Sequence, residues 1–508
     1  MKKFISQNGL IIISALFLLP LSCTKDKVKD TTGKEVISQL IKVSGEDVNS
    51  TTKTTLNGRA TSWVAGTDKV GIFSSAARTA AGGGGSAVVN TQFAAASSGA
   101  RSNFNGTMYW GAVGTSHTFY SYYPYTAGAS AATDVPVSLP SAQIQSAANN
   151  CNHIGAIDFI VANPVTVTSP TSPGTTSGVN FTYNHLFTVL EFHVKGTGNL
   201  KAINLQSNEP LAFSSGKIDI TQPTPASGVP YTIVNQAGLS HLVATKLTAP
   251  AALNTDTDTK VYMVINPCVP TDKCIIGFQV DSDWKYIEKI VPAEGFKRGV
   301  KYIVEVNADD AIKTTVSDMS GNTYNTVTIG TQVWMAKNLI TTKLNDNTDL
   351  STDIAISWSR LTTPAWTYFY DWKNYVYLNT CGMIYNWTAV NSGKLCPTGW
   401  HIPTDTEWTT LINYLGGTDF AGRKIKELGT ATWYAESGAT NETGFTSLGG
   451  GFYDTSFNYY KISTIWWSSS EASSTNANVV FQTWEDNKLK IISQPKEKRG
   501  NYVRCIKD

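Results

Sequence analysis

Eleven of the fourteen tryptophans lie after residue 310. One fold repeated along the chain would spread its indoles evenly, so two kinds of domain are joined near that point. The part before 310 consists of short alternating or apolar runs, at 69–73, 188–194, 261–265 and 302–306, separated by clusters of Gly, Pro, Ser and Asn. Period-two runs between turn residues predict strands, and strands at this spacing predict β-sandwich architecture. The stretch 168–178 has no apolar period and reads as a loop or internal boundary. The glycine run 82–85 reads as a flexible hairpin tip, because it lacks the offset third glycine and the βαβ setting of a phosphate cradle. Charged residues make up 15%, against roughly a quarter in an average globular chain. That argues against long helical bundles and coiled coils, and a 41% hydrophobic content argues against wholesale disorder. At about 150 residues per domain, 508 residues predict about three domains.

The N-terminus has the three parts of a secretory signal: Lys2 and Lys3, an apolar run over 10–19 broken only by Ser14 and Ala15, and Ser22 before Cys23. The run falls well short of the roughly 20 residues that span a bilayer. Leu21, Ser22 and Cys23 resemble the lipobox of bacterial lipoproteins, with Pro20 in place of the usual leucine. The resemblance implies that 1–22 is removed and that Cys23 is the lipid attachment. Its acyl chains, at about 0.8 kcal/mol per buried methylene, hold the chain to the outer membrane. The alternative is ordinary cleavage nearby, which leaves Cys23 a spare thiol. Residues 23–45 read as a lipidated polar tether, and Lys25-Asp26 resembles the acidic signal that sends lipoproteins to the cell surface. Removing Lys2 and Lys3 from the 40 Lys and Arg leaves 38 against 38 Asp and Glu. That balance builds no basic field, so no nucleic-acid partner is expected.

Six further cysteines, 151, 268, 274, 381, 396 and 505, allow fifteen pairings. None forms Cys-x-x-Cys, so neither a zinc ribbon nor a thioredoxin-like site is expected. His401, Asp405 and Glu407 invite a catalytic or metal reading, but Thr404 and Glu407 have the spacing of a capping box and Asp405 falls in the first turn of the helix they open. Trp408, Leu411, Ile412 and Leu415 then share one apolar face, and Gly416-Gly417 supply the stop. A second helix is predicted over 419–428, with Ala421, Ile425 and Leu428 inward. Asn254, Asp256 and Asp258 have calcium-loop spacing without the sixth-place glycine or closing glutamate, so a polar hairpin is the better reading. Trp484-Glu485-Asp486 loosely resembles the Trp-Asn-Asp motif of calcium-dependent lectins but lacks its companions. His185 and His193 read as packed or hydrogen-bonded. No nucleophile elbow, zincin or Walker motif occurs, so no catalytic residue, cofactor or metal is expected.

Four segments, 54–58 (Thr-Thr-Leu-Asn-Gly), 63–73, 181–187 and 296–302, resemble in order the fimbrillin family of Bacteroidota. The resemblance implies two all-β transthyretin-like sandwiches, at 46–175 and 176–308, on a surface lipoprotein. It also implies partnership with other pilins by strand donation, in which a neighbour's strand completes an unpaired edge. Seven further segments, among them 328–339, 395–403 (Leu-Cys-Pro-Thr-Gly-Trp-His-Ile-Pro), 466–470 (Trp-Trp-Ser-Ser-Ser) and 502–505 (Tyr-Val-Arg-Cys), resemble the Fibrobacter succinogenes major paralogous domain over 315–508. That implies an α+β C-type lectin-like domain. Cys396 and Cys505 each sit in one of its motifs, and the resemblance implies a disulfide between them; Cys268 and Cys274 are spaced to close a small hairpin, and Cys151 and Cys381 stay open. The string from Gly399 to Trp408 also resembles a structural segment of formylglycine-generating enzymes, without their paired cysteines.

The resulting expectation is a multidomain, surface-exposed, lipid-anchored fimbrillin-type protein displaying a lectin-like domain as a pilus tip or accessory adhesin. A stand-alone surface lipoprotein for glycan binding is the alternative, and an enzyme on a lectin-like fold is disfavoured. Ligand specificity is expected in the loops 340–380 and 452–490, for a glycan or a surface protein, without calcium. Trp358, Trp366, Trp372, Trp467 and Trp484 are the candidate ligand-binding residues. Trp466 and Trp467, being consecutive in a predicted strand, face opposite sides, so that one is free to line a covered site.

Overall fold

The computed structural model describes residues 39–508 apart from 48–61, 84, 173–177, 227, 272, 353–360, 369–379, 436–437, 455 and 498, together with strands Lys27–Lys29 and Glu35–Ile37. The signal segment, Cys23, Trp358 and Trp372 lie outside the described residues. The chain is mostly β, in several sheets, and among the described residues no helix is long and apolar enough to cross a membrane.

The four runs singled out for their alternation lie in strands Lys69–Arg78, Thr188–Lys195, Thr259–Ile265 and Lys301–Asn307. In the first unit, strands Gly178–His185, Lys42–Asp47, Arg101–Asn105, Ala87–Ala95, Lys69–Arg78 and Ser116–Tyr123 pair in that order. The circuit closes because Ile160–Ala162 pairs with Gly178–His185 on one side and with Ser116–Tyr123 on the other. Inside it the Trp63 indole meets Phe104 edge-on at 4.8 Å and Tyr183 at 5.4 Å. Gly45 allows this, because a Cβ there would lie 2.7 Å from Tyr183 and 2.9 Å from Phe104.

The strands do not divide at residue 175. Val135–Leu139 pairs with Phe213–Ile218, and Ala142–Gln145 pairs in parallel with Leu242–Ala252, so a segment of the first half completes two sheets of the second. Val135, Val137 and Leu139 alternate inward and join a core with Leu211, Phe213 and Ile218, which gives that exchange its driving force. The same core takes Phe73 and Tyr122 from the first circuit, so the two β units share apolar contacts. The 168–178 stretch separates strands that end at Thr168 and begin at Gly178, with 173–177 outside the described residues.

Among the described residues the C-terminal unit has two sheets and the helices Trp387–Asn391, Asp405–Tyr414 and Thr418–Ile425. The larger sheet runs Ser351–Thr352, Ala365–Thr367, Ile384–Asn386, Arg499–Tyr502, Ser463–Glu471, Asn476–Thr483, Lys490–Pro495. Helix Asp405–Tyr414 opens on a complete capping box: Glu407 N–H donates to Thr404 Oγ1, and Glu407 Oε2 accepts from Thr404 N–H at 2.8 Å. Its buried face is Trp408, Leu411 and Ile412, with Leu415 buried at the cap. The second helix, Thr418–Ile425, stops three residues short of expectation. Lys426 is extended there, and its ammonium donates to the Thr483 and Asp486 carbonyls, each at 2.9 Å.

This unit is docked on the second β unit. Gln206 Nε2 donates to Thr328 O at 2.8 Å while Gln206 Oε1 accepts from Gly330 N–H at 2.8 Å. Tyr414 stacks on His241 at 5.3 Å, and buried Lys424 donates to Ser240 Oγ at 2.5 Å. Trp284 enters the same core as Trp334, Trp408 and Trp466.

Candidate functional site

The C-terminal frame is anchored on a buried cation. Arg504 donates through Nε and Nη2 to Asn338 Oδ1 at 3.0 and 2.8 Å, and through Nη1 to Met335 O at 3.1 Å and Phe445 O at 2.5 Å. Asn338 Oδ1 also accepts from the Trp466 indole at 2.9 Å. Burial pushes the guanidinium down to about 9. Beside it, Cys396 and Cys505 form a disulfide across a sequence separation of 109. Cys268 and Cys274, read as a possible hairpin closure, remain thiols, as do Cys151 and Cys381. Cys274 points into the core at the start of its strand, and Cys268 pairs through its backbone with Phe296. Burial pushes the Cys268 thiol up to about 12.

The residues with catalytic character are engaged structurally. His401 lies between Asp508 (Nδ1 to Oδ1, 2.6 Å) and the capping Glu407 (Nε2 to Oε1, 2.8 Å). Burial alone would lower the imidazole, but the two carboxylates outweigh it and raise it above its ordinary value. Asp405 accepts from Ser468 Oγ at 2.6 Å and Asn478 Nδ2 at 2.5 Å. Asn254 Oδ1 accepts from the backbone of Asp256 and Thr257, closing the polar hairpin, and Asp258 bonds His193 at 3.0 Å. His185 bonds Asp158 at 2.7 Å, both buried. Among the described residues no group of three or more His, Cys, Asp and Glu side chains is arranged to hold a metal ion.

Of the candidate ligand-binding tryptophans, Trp467 is corrected. It is fully buried, packs edge-on to Trp387 at 5.3 Å and donates its indole N–H to Tyr385 O at 2.8 Å. Trp466 and Trp467 do face opposite sides, but each side is a core: Trp408 and Phe445 cover the first, Trp387 and Tyr385 the second. Trp366 is half-buried against that second core, 6.2 Å from Tyr368. Trp484 reaches the surface, half-buried, its ring 5.1 Å from Tyr434, which is 68% exposed.

That pair belongs to a surface strip. Trp484 N–H donates to Ile462 O and Tyr434 N–H to Lys461 O, both at 2.8 Å, so the two aromatics flank the 459–462 turn. Tyr459, 56% exposed, stacks on Phe452 at 5.3 Å. Tyr459 and Lys461 have φ of 62° and 63°, a left-handed conformation that costs a non-glycine residue about 1–3 kcal/mol and persists only where the surroundings impose it. The strip is a rigid, outward aromatic surface of the kind that makes contact area at low entropy cost. Sequence reasoning missed Tyr434 and Tyr459. The consecutive Trp433 and Tyr434 carried a signal, since Trp433 is buried and Tyr434 is its outward neighbour.

At the other end, the leading strand Lys42–Asp47 fills a place in the first circuit, parallel to Gly178–His185 and antiparallel to Arg101–Asn105.

Residues 52–333, more than half the chain, match the fimbrillin-like family. The chain belongs to that family. Residues 327–507 match the Fibrobacter succinogenes major domain, so the two matches meet at strands Thr323–Ile329 and Gln332–Met335. No curated protein matches the chain. Among solved structures, it is similar to a candidate cell adhesion protein of Bacteroides uniformis, at 17% identity over 55% of this chain and 94% of that one, with a TM-score of 0.33. It is also similar to a fimbrial protein of Bacteroides ovatus (12%; 94% and 100%; 0.27) and a fimbrial assembly protein of Parabacteroides distasonis (12%; 57% and 99%; 0.29).

Proposed function

We propose that this fimbrillin-like chain is a cell-surface adhesion protein of the pilus type. It is anchored to the outer membrane by lipid on Cys23 and carries a C-terminal lectin-like domain as a tip or accessory adhesin. The observation that carries the reading is family membership across residues 52–333 continuing directly into the C-terminal domain. The role is adhesive rather than enzymatic: His401, Asp405 and Glu407 are engaged in closing and capping one helix. Binding is assigned to the Tyr434, Tyr459 and Trp484 strip, within or beside the expected 452–490 loop, with a glycan or a surface protein as ligand and no calcium.

Cys23→Ala should release the protein from the membrane fraction, and external protease should remove the C-terminal domain from intact cells carrying the native chain. Tight membrane association of the variant, or full protection of the domain, contradicts the proposal. Tyr434→Ala with Trp484→Ala should abolish adherence while the protein stays displayed, and a chelator should leave adherence unchanged.

A stand-alone surface lipoprotein is the second reading, favoured by the Lys42–Asp47 strand, which is paired on both sides and so leaves no open edge at its place in the first circuit. Recovery of the chain in detergent-resistant polymers with other pilins decides for the pilus; its recovery only as a monomer decides for the alternative.

A further inference from the structure

We infer that the cleft between the second β unit and the C-terminal unit is a binding site for an acidic oligosaccharide. The cleft encloses about 810 Å³, within the range of sites that hold small ligands, and junctions between domains are where such sites concentrate. Its charge is distributed unevenly. Lys201 and Lys246 reach it from strands Asn199–Gln206 and Leu242–Ala252, and Lys337 from just after strand Gln332–Met335. Among the described residues none of these three ammonium groups has a hydrogen-bond or ion-pair partner. Several other lysines of the second unit and its junction do pair, Lys217 with Asp134, Lys260 and Lys301 with Glu191, and Lys313 with Asp283, while among the described residues Lys285 and Lys289 do not.

Two carboxylates line the cleft, and one of them is matched by a buried cation. Glu442 lies 3.6 Å from buried Lys424 and accepts from Thr440 Oγ1 at 2.9 Å, and Glu427 accepts from Thr432 Oγ1 at 2.6 Å. Lys424 matches Glu442, whereas Glu427 keeps its charge, so the three lysines from two units leave the cleft a net positive field for one bound anion.

The rest of the lining selects for a sugar over a bare anion. Trp284, 9% exposed, sets a rigid apolar floor beneath Gly444, where a Cβ would come within 2.5 Å of the indole nitrogen. Exposed Ile144 adds a second apolar wall. Gln279 and Asn325 supply amides for hydroxyl groups; Asn325 spends its NH2 on Asp283, which leaves its carbonyl oxygen as an acceptor. A uronic acid presents that combination: a carboxylate for the lysines, hydroxyls for the amides and a C–H face for the apolar walls. The site needs both units in place, and it depends neither on the Tyr434–Trp484 strip nor on the adhesion reading.

The test is calorimetric titration of the intact chain with tetragalacturonate and a hyaluronan tetrasaccharide, with fully methyl-esterified tetragalacturonate and inorganic phosphate as comparators. At least one uronate should bind at submillimolar concentration, with the methyl ester about tenfold weaker or worse. Lys246→Ala with Lys337→Ala should weaken the uronate about tenfold or more, while Lys507→Ala, a surface lysine elsewhere, should leave it unchanged. Failure of both uronates to bind, equal binding of acid and ester, phosphate binding as tight as the uronate, or indifference to the double substitution each overturns the assignment.

Discussion

Opening the Cys396–Cys505 disulfide should destabilise the C-terminal unit without changing its fold. The bridge closes a sequence separation of 109, and the chain-entropy model gives about 4.7 kcal/mol for a loop of about 100 residues, with measured losses of about 2–5 kcal/mol. Both cysteines are buried in the core around Trp387 and Trp467, so the reagent reaches the bridge only when that core opens. For a domain of about 150–250 residues each kcal/mol is worth roughly 2–4 °C, so a fall of roughly 4–20 °C is expected. Thermal melts of the oxidised protein and of protein reduced in denaturant and refolded under excess reductant with its thiols free, followed by near-UV circular dichroism of the tryptophan cluster, isolate the covalent term. The Cys396→Ala, Cys505→Ala double variant should melt with the reduced sample. Coincident melts, or alkylation of both thiols in denaturant without reductant, refute the reasoning.

Arg504→Leu should cost about 3 kcal/mol or more, because the carbonyls of Met335 and Phe445 and the Asn338 amide oxygen lose donors inside a core; urea unfolding measures it. His401 is raised in the folded protein, so the stability it confers is complete below its ordinary value near 6.5 and is lost as pH rises through the raised value. His401→Gln should flatten the pH dependence of stability in that window, and an unchanged slope counts against the clamp. Glu407 is lowered despite burial, by bonds from Thr404 and His401, so its share is present above the ordinary carboxylate value and fades as pH falls through the lowered one. Glu407→Gln should reduce the loss of stability in acid. Gly444→Ala forces a Cβ against Trp284 at φ +72°, and should cost about 1–3 kcal/mol and increase protease cleavage at the junction.

What could be read from the sequence was local. The capping box and the apolar face behind it involve residues a few positions apart, so spacing alone fixes their geometry. Alternation likewise placed Trp466 and Trp467 on opposite faces, but what covers a face is a long-range matter. Trp467 reads as a candidate for lining a covered ligand site because nothing near it announces Trp387 and Tyr385, some eighty positions earlier. The strand exchange is hidden in the sequence for the same reason: Ala142–Gln145 has ordinary strand character, and its partner Leu242–Ala252 lies a hundred positions on. The junction hides best of all, since Gln206, Ser240 and Lys424 look in sequence like unremarkable polar residues.

The junction also has a mechanical meaning. No slack linker separates the second β unit from the C-terminal unit: Ile312 bridges to Tyr286, Lys313 pairs with Asp283 and Thr314 O accepts from Thr326 N–H, so the connecting chain is stitched down on both sides. A tug on the C-terminal unit is therefore carried in parallel by the Gln206 pair, the Tyr414–His241 stack and the buried Lys424 contact, rather than by stretching a tether between beads. These two units recoil as one lever. A pull applied across both units would pass on to the first strand circuit, which shares apolar core contacts and exchanged strands with the second unit.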